Sequence, residues 1–148
     1  MTLVDEWKKR KYPGMLPPEQ AIWRAWIKVH GAEYDEVWYN VRVGPGIKVD
    51  ASWPANEQKM AKALTKARID VVLRHDDQYT IVEVKQRAGL GAVGQVEGYQ
   101  VHWQAENPTL PRATLRILTD AMSTSLPAVA VAKEILLETV AEPIPNPA

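Results

Sequence analysis

Two hydrophobic periods alternate along the chain, and each predicts a different element. Residues 33–43 carry Val37, Tyr39, Val41 and Val43 at every second position, with Trp38, Asn40 and Arg42 between them. That is the period of a strand with one buried face, and Gly44-Pro45-Gly46 ends it. Ile22, Trp23, Trp26, Ile27 and His30 keep helical spacing instead, behind Pro17-Pro18, which suit a first turn, and ahead of Gly31. They predict a helix from Pro17-Pro18 to about His30. Glu19 lies on the side of that helix bearing Trp23 and Trp26; it either complements the helix dipole or points toward a site elsewhere.

The segment RIDVVLRHDDQYTIVEVK, Arg68 to Lys85, predicts a hairpin turning at Asp76-Asp77. Its register follows from the turn: Asp70 falls opposite Glu83, and Asp70, Glu83 and Lys85 share one face while Ile69, Val71, Leu73, Val82 and Val84 share the other. Opposed Cβ atoms lie roughly 4.5–5.5 Å apart, where like charges repel. Two carboxylates so placed ask for a cation between them.

The remaining segments are weaker in pattern. Asp50, Trp53 and Pro54 suggest a loop and NEQKMAKALTKAR a short helix, with Lys59, Lys62 and Lys66 at helical spacing. Ala88 to Gly94 reads as small and flexible, followed by a helix to Glu106 closed by Asn107-Pro108. Residues 112–120 predict a strand through Leu115, Ile117 and Leu118, and a helix begins at Pro127. ILLETVAE is open between a helical continuation and a final strand, and PIPNPA is polyproline-like.

At 148 residues the chain holds one domain with a core. We expect a basic, aromatic arm over residues 1–16, a folded domain over 17–142 and a proline-rich tail over 143–148. The absence of cysteine excludes disulfides and thiolate metal sites. The start, MTLVDEWKKRK, lacks the apolar run of a signal peptide, and no stretch approaches a membrane span of about 18 apolar residues. A cytoplasmic protein, or a component of a virus particle, is the expectation.

Net charge is zero, which argues against a protein that coats nucleic acid non-specifically, but base is concentrated in the first 87 residues. Lys59, Lys62, Lys66, Arg68 and Arg87 are the candidate contacts to a phosphate backbone, or else a solvated surface. Trp7 and Tyr12 flank Lys8 to Lys11, a pattern of single-strand binders and of solvated termini alike.

Phosphodiester hydrolysis needs charge neutralised on the phosphate and a water activated near neutral pH, and a divalent ion does both. Mg²⁺ accepts one or two carboxylates and leaves other positions to water and phosphate, so Asp70 and Glu83 fit it. The carbonyl of Val84 is a further oxygen ligand. Lys85, about 6.6–6.8 Å along the strand from Glu83, would reach the attacking water or the phosphate. Gln95 and Tyr99, four apart on a helix, stack on one face and would close over the hairpin.

Asp70, then Glu83-Val84-Lys85, then Gln95-Val96-Glu97-Gly98-Tyr99, resembles the PD-(D/E)XK nuclease superfamily, and the Gln95-x-x-x-Tyr99 spacing resembles its RecB-like branch. The resemblance covers roughly residues 17–120. It implies an α/β (α+β) fold, a restriction-endonuclease-like core with a central mixed sheet flanked by helices. It also implies Mg²⁺ or Mn²⁺ as cofactor and a nucleic-acid substrate, most simply DNA. By that resemblance Asp70 and Glu83 match the metal ligands, Lys85 the catalytic lysine, Gln95 and Tyr99 the accessory helix motif, and Glu19 the acid of the first helix. Ile69 stands where the superfamily often has proline.

A metal-dependent deoxyribonuclease is the first expectation. Zero net charge and the proline tail motivate a second: a nuclease-fold structural or assembly module, as in a phage particle, with its termini held by a homo-oligomer or protein partner. A nucleic-acid binder without cleavage is the third, and its binding would depend on salt but not on metal.

Overall fold

A computed structural model of the chain describes residues 2–140. Five strands form one mixed sheet: β1 (Glu36–Val43), β2 (Ala67–His75), β3 (Gln78–Lys85), β4 (Thr114–Thr119) and β5 (Ile135–Thr139), in that spatial order. The first three are antiparallel, and β3, β4 and β5 run parallel. Helix α1 (Pro17–His30) covers one face, while α3 (Leu90–Glu106) and α4 (Leu126–Ala132) cover the other; α2 (Ala55–Thr65) lies between β1 and β2 in sequence and buries no residue. The expected mixed sheet flanked by helices is the architecture found.

Each face has its own core. Val71, Leu73, Val82, Val84 and Leu118 pack with Ile22, Trp23, Trp26 and Ile27 of α1. Val43, Ile69, Val72, Ile81, Leu115 and Ile117 pack with Ala92, Val93 and Val96 of α3 and with Leu126 and Ala130 of α4. Burying such side chains contributes about 1.5–3 kcal/mol each relative to exposure.

Strict alternation fails at one place. The β1–β2 ladder pairs Tyr39 with Val71 and Val41 with Ile69 but skips the pair between them, Asn40 and Asp70. Asn40 has φ +54°, in the left-handed region that asparagine tolerates. Across this break the strands turn over. Val37, Tyr39 and Val71 belong to the α1 side, whereas Val41, Val43 and Ile69 belong to the α3 side. The expectation that Val37 to Val43 share a face, and that Ile69 sides with Val71, is therefore corrected.

The N-terminal segment is not a free arm. Tyr12 and Met15 are in the α1 core, and Trp7 packs against it. Arg24, buried on α1, donates to the carbonyls of Lys9 and Arg10 at 2.9 and 3.2 Å and lies over the Tyr12 ring. Glu6, also buried, accepts the Tyr39 hydroxyl at 2.6 Å and pairs with Lys9 at 2.9 Å. Sequence alternation across residues 2–16 is too irregular to reveal such packing, because the contacts that seat the segment on the core are made with α1 and β1.

Residues 88–94 are likewise more ordered than their composition suggests. Ala88 is tied to Ala121 and Ser123 by backbone hydrogen bonds of 2.8 and 3.0 Å, and α3 starts at Leu90. Burial of Ala92 and Val93 offsets the weak helix propensity of Gly91 and Gly94. ILLETVAE resolves as a strand over Ile135–Thr139, preceded by Glu134 at φ +57°. The proline-rich tail, 143–148, lies outside the described residues. Among the described residues no helix is long and apolar enough to cross a membrane.

Candidate active site

The β2–β3 hairpin has the register read from its turn: His75 pairs with Gln78 and Val71 with Val82. There the ladder stops. One residue further, the Val84 N–H donates to Asp70 Oδ2 at 2.9 Å, so a side chain takes the place of the next backbone acceptor. The break opposite Asn40 and the parting from β3 leave Asp70 between two strands rather than in a ladder.

Glu83 follows on β3, on the face of Tyr79 and Ile81, and is only 5% exposed. Its carboxyl shares a hydrogen bond with Asp70. Burial pushes its pKa from 4.5 up to about 10, with the Asp70 hydrogen bond and charge adding to the rise, Lys85 opposing it and Glu19 adding further negative charge. Glu19 Oε1 accepts the Leu16 N–H at 2.9 Å at the start of α1, the contact expected of an acid at a helix N-terminus.

Helix α3 closes the site from above. Lys85 Nζ donates to Gln95 Oε1 at 3.5 Å. One turn on, burial raises the pKa of the Tyr99 hydroxyl, the charges of Glu83 and Asp70 raise it further, and Arg68 opposes. Tyr99 thus stays protonated at neutral pH, a donor beside two acids. Asp70, Glu83, Lys85, Gln95, Tyr99, Glu19 and Arg68 come together, and Val84 adds its backbone between the two strands.

The other basic residues do not join them. Lys59 and Lys62 border a surface hollow of about 340 Å³ with Ile47, Lys48, Val49 and Gln58. Lys66 follows the end of α2 in extended conformation, so the three lysines do not share one helix face. Arg87 sits at φ +47°, its backbone N–H bonded to Asp120 Oδ1 at 2.8 Å, with its side chain exposed.

A second acidic group that sequence spacing did not single out lies at the hairpin tip. Asp35, His75 and Asp76 each offer a ligand atom within 4.8 Å of the others. Asp35 Oδ2 also accepts the Asp76 N–H at 2.9 Å, which holds its carboxyl below the usual pKa range, and Arg74 stands 3.6 Å away. His75 turns its two ring nitrogens to different carboxylates, so its contacts are those of a capped turn.

No protein-family model matches the sequence, and the curated proteins include no match. Among solved structures the chain is similar to a protein of unknown function, AF1548, with 18% identity and a TM-score of 0.52 over 80% of this chain and 55% of that one. Slighter likenesses are to EndoMS in its complex with double-stranded DNA (17%, TM-score 0.45, 70% and 40% covered) and to a repair endonuclease from Pyrococcus abyssi (17%, 0.44, 51% and 34%). The chain spans between 34% and 55% of the length of these three. The likeness to AF1548 is one of fold, a mixed sheet with flanking helices.

Proposed function

We propose that the chain is a divalent-metal-dependent nuclease that hydrolyses phosphodiester bonds of DNA, of the RecB-like kind within the PD-(D/E)XK superfamily. The observation that carries this reading is the pair Asp70 and Glu83, a half-buried acid hydrogen-bonded to a buried one beneath a helix bearing Gln95 and Tyr99. A buried carboxyl forced to keep its proton is a costly arrangement in a purely structural site.

The donor set fits Mg²⁺ or Mn²⁺: Asp70, Glu83, the Val84 carbonyl and Glu19 are all hard oxygens. When bound, the cation would supply Lewis acidity and a more acidic water. The chain's own groups do the rest. Asp70 is held by the Val84 N–H, so its free oxygen keeps one direction. Lys85, oriented by Gln95, would carry positive charge to the phosphate or hold a proton of the attacking water. Tyr99, protonated, would donate to a phosphate oxygen, and Arg68 beside it would hold the flanking strand. Lys59, Lys62, Lys66 and Arg87 lie outward of this centre as sites for a longer stretch of backbone.

The deciding experiment incubates purified protein with linear, branched and single-stranded DNA in Mg²⁺ or Mn²⁺. Cutting that requires metal and disappears in Lys85→Ala supports the reading. No cutting by the wild type, or cutting that survives Lys85→Ala, overturns it.

A further inference from the structure

Three aromatic side chains from distant parts of the chain meet on the sheet face that carries Glu83. Trp38 of β1 stacks on Tyr79 of β3 with centroids 6.0 Å apart and planes 26° apart. Tyr79 meets Trp103 of α3 at 5.4 Å and 46°. With Val41, Val72, Asn107 and Leu110 they line an open-sided cavity of about 250 Å³. Trp38 at its mouth is 39% exposed.

Two polar atoms of this wall are unused among the described residues. Trp103 Nε1 is buried without an acceptor. Asn107 donates through Nδ2 to the Trp103 carbonyl at 2.9 Å, and no donor reaches its Oδ1. A buried N–H without a partner is destabilising, and an occupant of the cavity that offers it an acceptor relieves that cost. That occupant is flat, apolar on its faces, and carries an acceptor and a donor on its edge.

Its place in the fold narrows the chemistry. Gln95, Tyr99 and Trp103 succeed one another at four-residue steps along one stripe of α3, about 6 Å per step. Tyr79 precedes Glu83 by four residues on β3, about 13 Å. The cavity therefore continues the acidic centre along the same helix and the same strand.

We propose that this cavity is a nucleobase pocket, taking one unstacked base of the strand whose phosphate lies at Asp70 and Glu83. The proposal rests on the nuclease reading for the identity of that strand. Stacking against the aromatic wall of Trp38, Tyr79 and Trp103 recognises the base without regard to sequence, while Trp103 Nε1 and Asn107 Oδ1 address its edge. A base within a duplex must first be extruded, so single-stranded, frayed or mismatched DNA is favoured over intact duplex.

The test measures binding of a labelled single-stranded DNA oligonucleotide by fluorescence anisotropy in the Lys85→Ala background with Mg²⁺, scanning one abasic position at a time. One position is expected to lose about tenfold in affinity, the scale of a single base–aromatic stack. Trp38→Ala is expected to abolish that position's effect, and Trp38→Phe to restore part of it. A flat scan, a scan unchanged by Trp38→Ala, or no binding of the oligonucleotide overturns the pocket. Cleavage by the unsubstituted protein judges the nuclease reading separately: cutting with a flat scan removes only the pocket. A Trp38-dependent position in a protein that cuts nothing keeps the pocket and removes the catalysis.

Discussion

Asp70 and Glu83 share a hydrogen bond one residue beyond the last backbone pair of their strands, Val71 and Val82. The two acids face each other across an opening that Asp70 itself bridges to the Val84 N–H. A carboxyl pair in such a place holds a proton when no cation is present.

That proton sets a pH dependence. Glu83 titrates near 4.5 when unfolded and at about 10 when folded, so between those values the folded state binds the extra proton. Its stabilising contribution is complete below 4.5 and is lost as pH rises toward 10, at no more than about 1.4 kcal/mol per pH unit. The melting temperature of metal-free protein is expected to fall between pH 5 and 9, with Mg²⁺ and Glu83→Gln each flattening the slope. Calorimetry across that range checks it, and a flat metal-free profile removes the shared proton.

Substitutions at Asp70 separate its two duties. Asp70→Asn keeps an oxygen for the Val84 N–H and removes one acid, so its stability is expected to equal or exceed that of the wild type. Asp70→Ala leaves that N–H without its acceptor, at a cost of about 1–3 kcal/mol relative to Asn. Urea denaturation ranks the two; both are expected to lose the Mg²⁺-induced rise in melting temperature.

Gln95→Ala and Tyr99→Phe remove polar groups from the helix over the site while leaving its core residues in place. Cleavage is expected to fall roughly 10- to 100-fold, the scale of one lost hydrogen bond to a charged group, about 1.5–3 kcal/mol. Melting temperatures within a degree or two of the wild type would assign that loss to chemistry. An equal loss of stability would make these residues structural.

Tyr12→Ala tests whether the first sixteen residues belong to the domain. Tyr12 is buried against Arg24 and Tyr39, so its truncation is expected to cost about 3 kcal/mol or more. It should also expose the segment around Lys8 to Lys11 to trypsin. A change below 1 kcal/mol would return the segment to the status of an arm.

Gly94 lies on the exposed side of α3, and an added Cβ would meet no atom within 4 Å. Gly94→Ala is expected to stabilise the protein by up to about 1 kcal/mol through helix propensity. If DNA approaches the helix backbone there, the same substitution weakens DNA binding while raising the melting temperature.

Local periodicity made much of this site legible. A period of two places Glu83 and Lys85 on one face, a period near 3.6 stacks Gln95 on Tyr99, and the Asp76-Asp77 turn fixes a register that brings Asp70 level with Glu83. The first helix was legible for the same reason, its proline start and aromatic stripe being written within fourteen residues.

What the sequence could not determine depends on segments far apart meeting. The reversal of faces at Asn40 and Asp70 arises where two strands oppose each other, and neither strand alone reports it. The seat of residues 2–16 is made by Arg24, Tyr39 and the α1 core, and the aromatic cavity by residues from β1, β3 and α3. Sequence by itself determined which acidic and polar side chains are spaced to share a face of each element, because that spacing is a short-range property of the backbone. Tertiary structure decided that Asp70 stands half-buried between strands, beside Glu83 buried beneath α3, because only long-range packing removes water from the Glu83 carboxyl and raises its pKa.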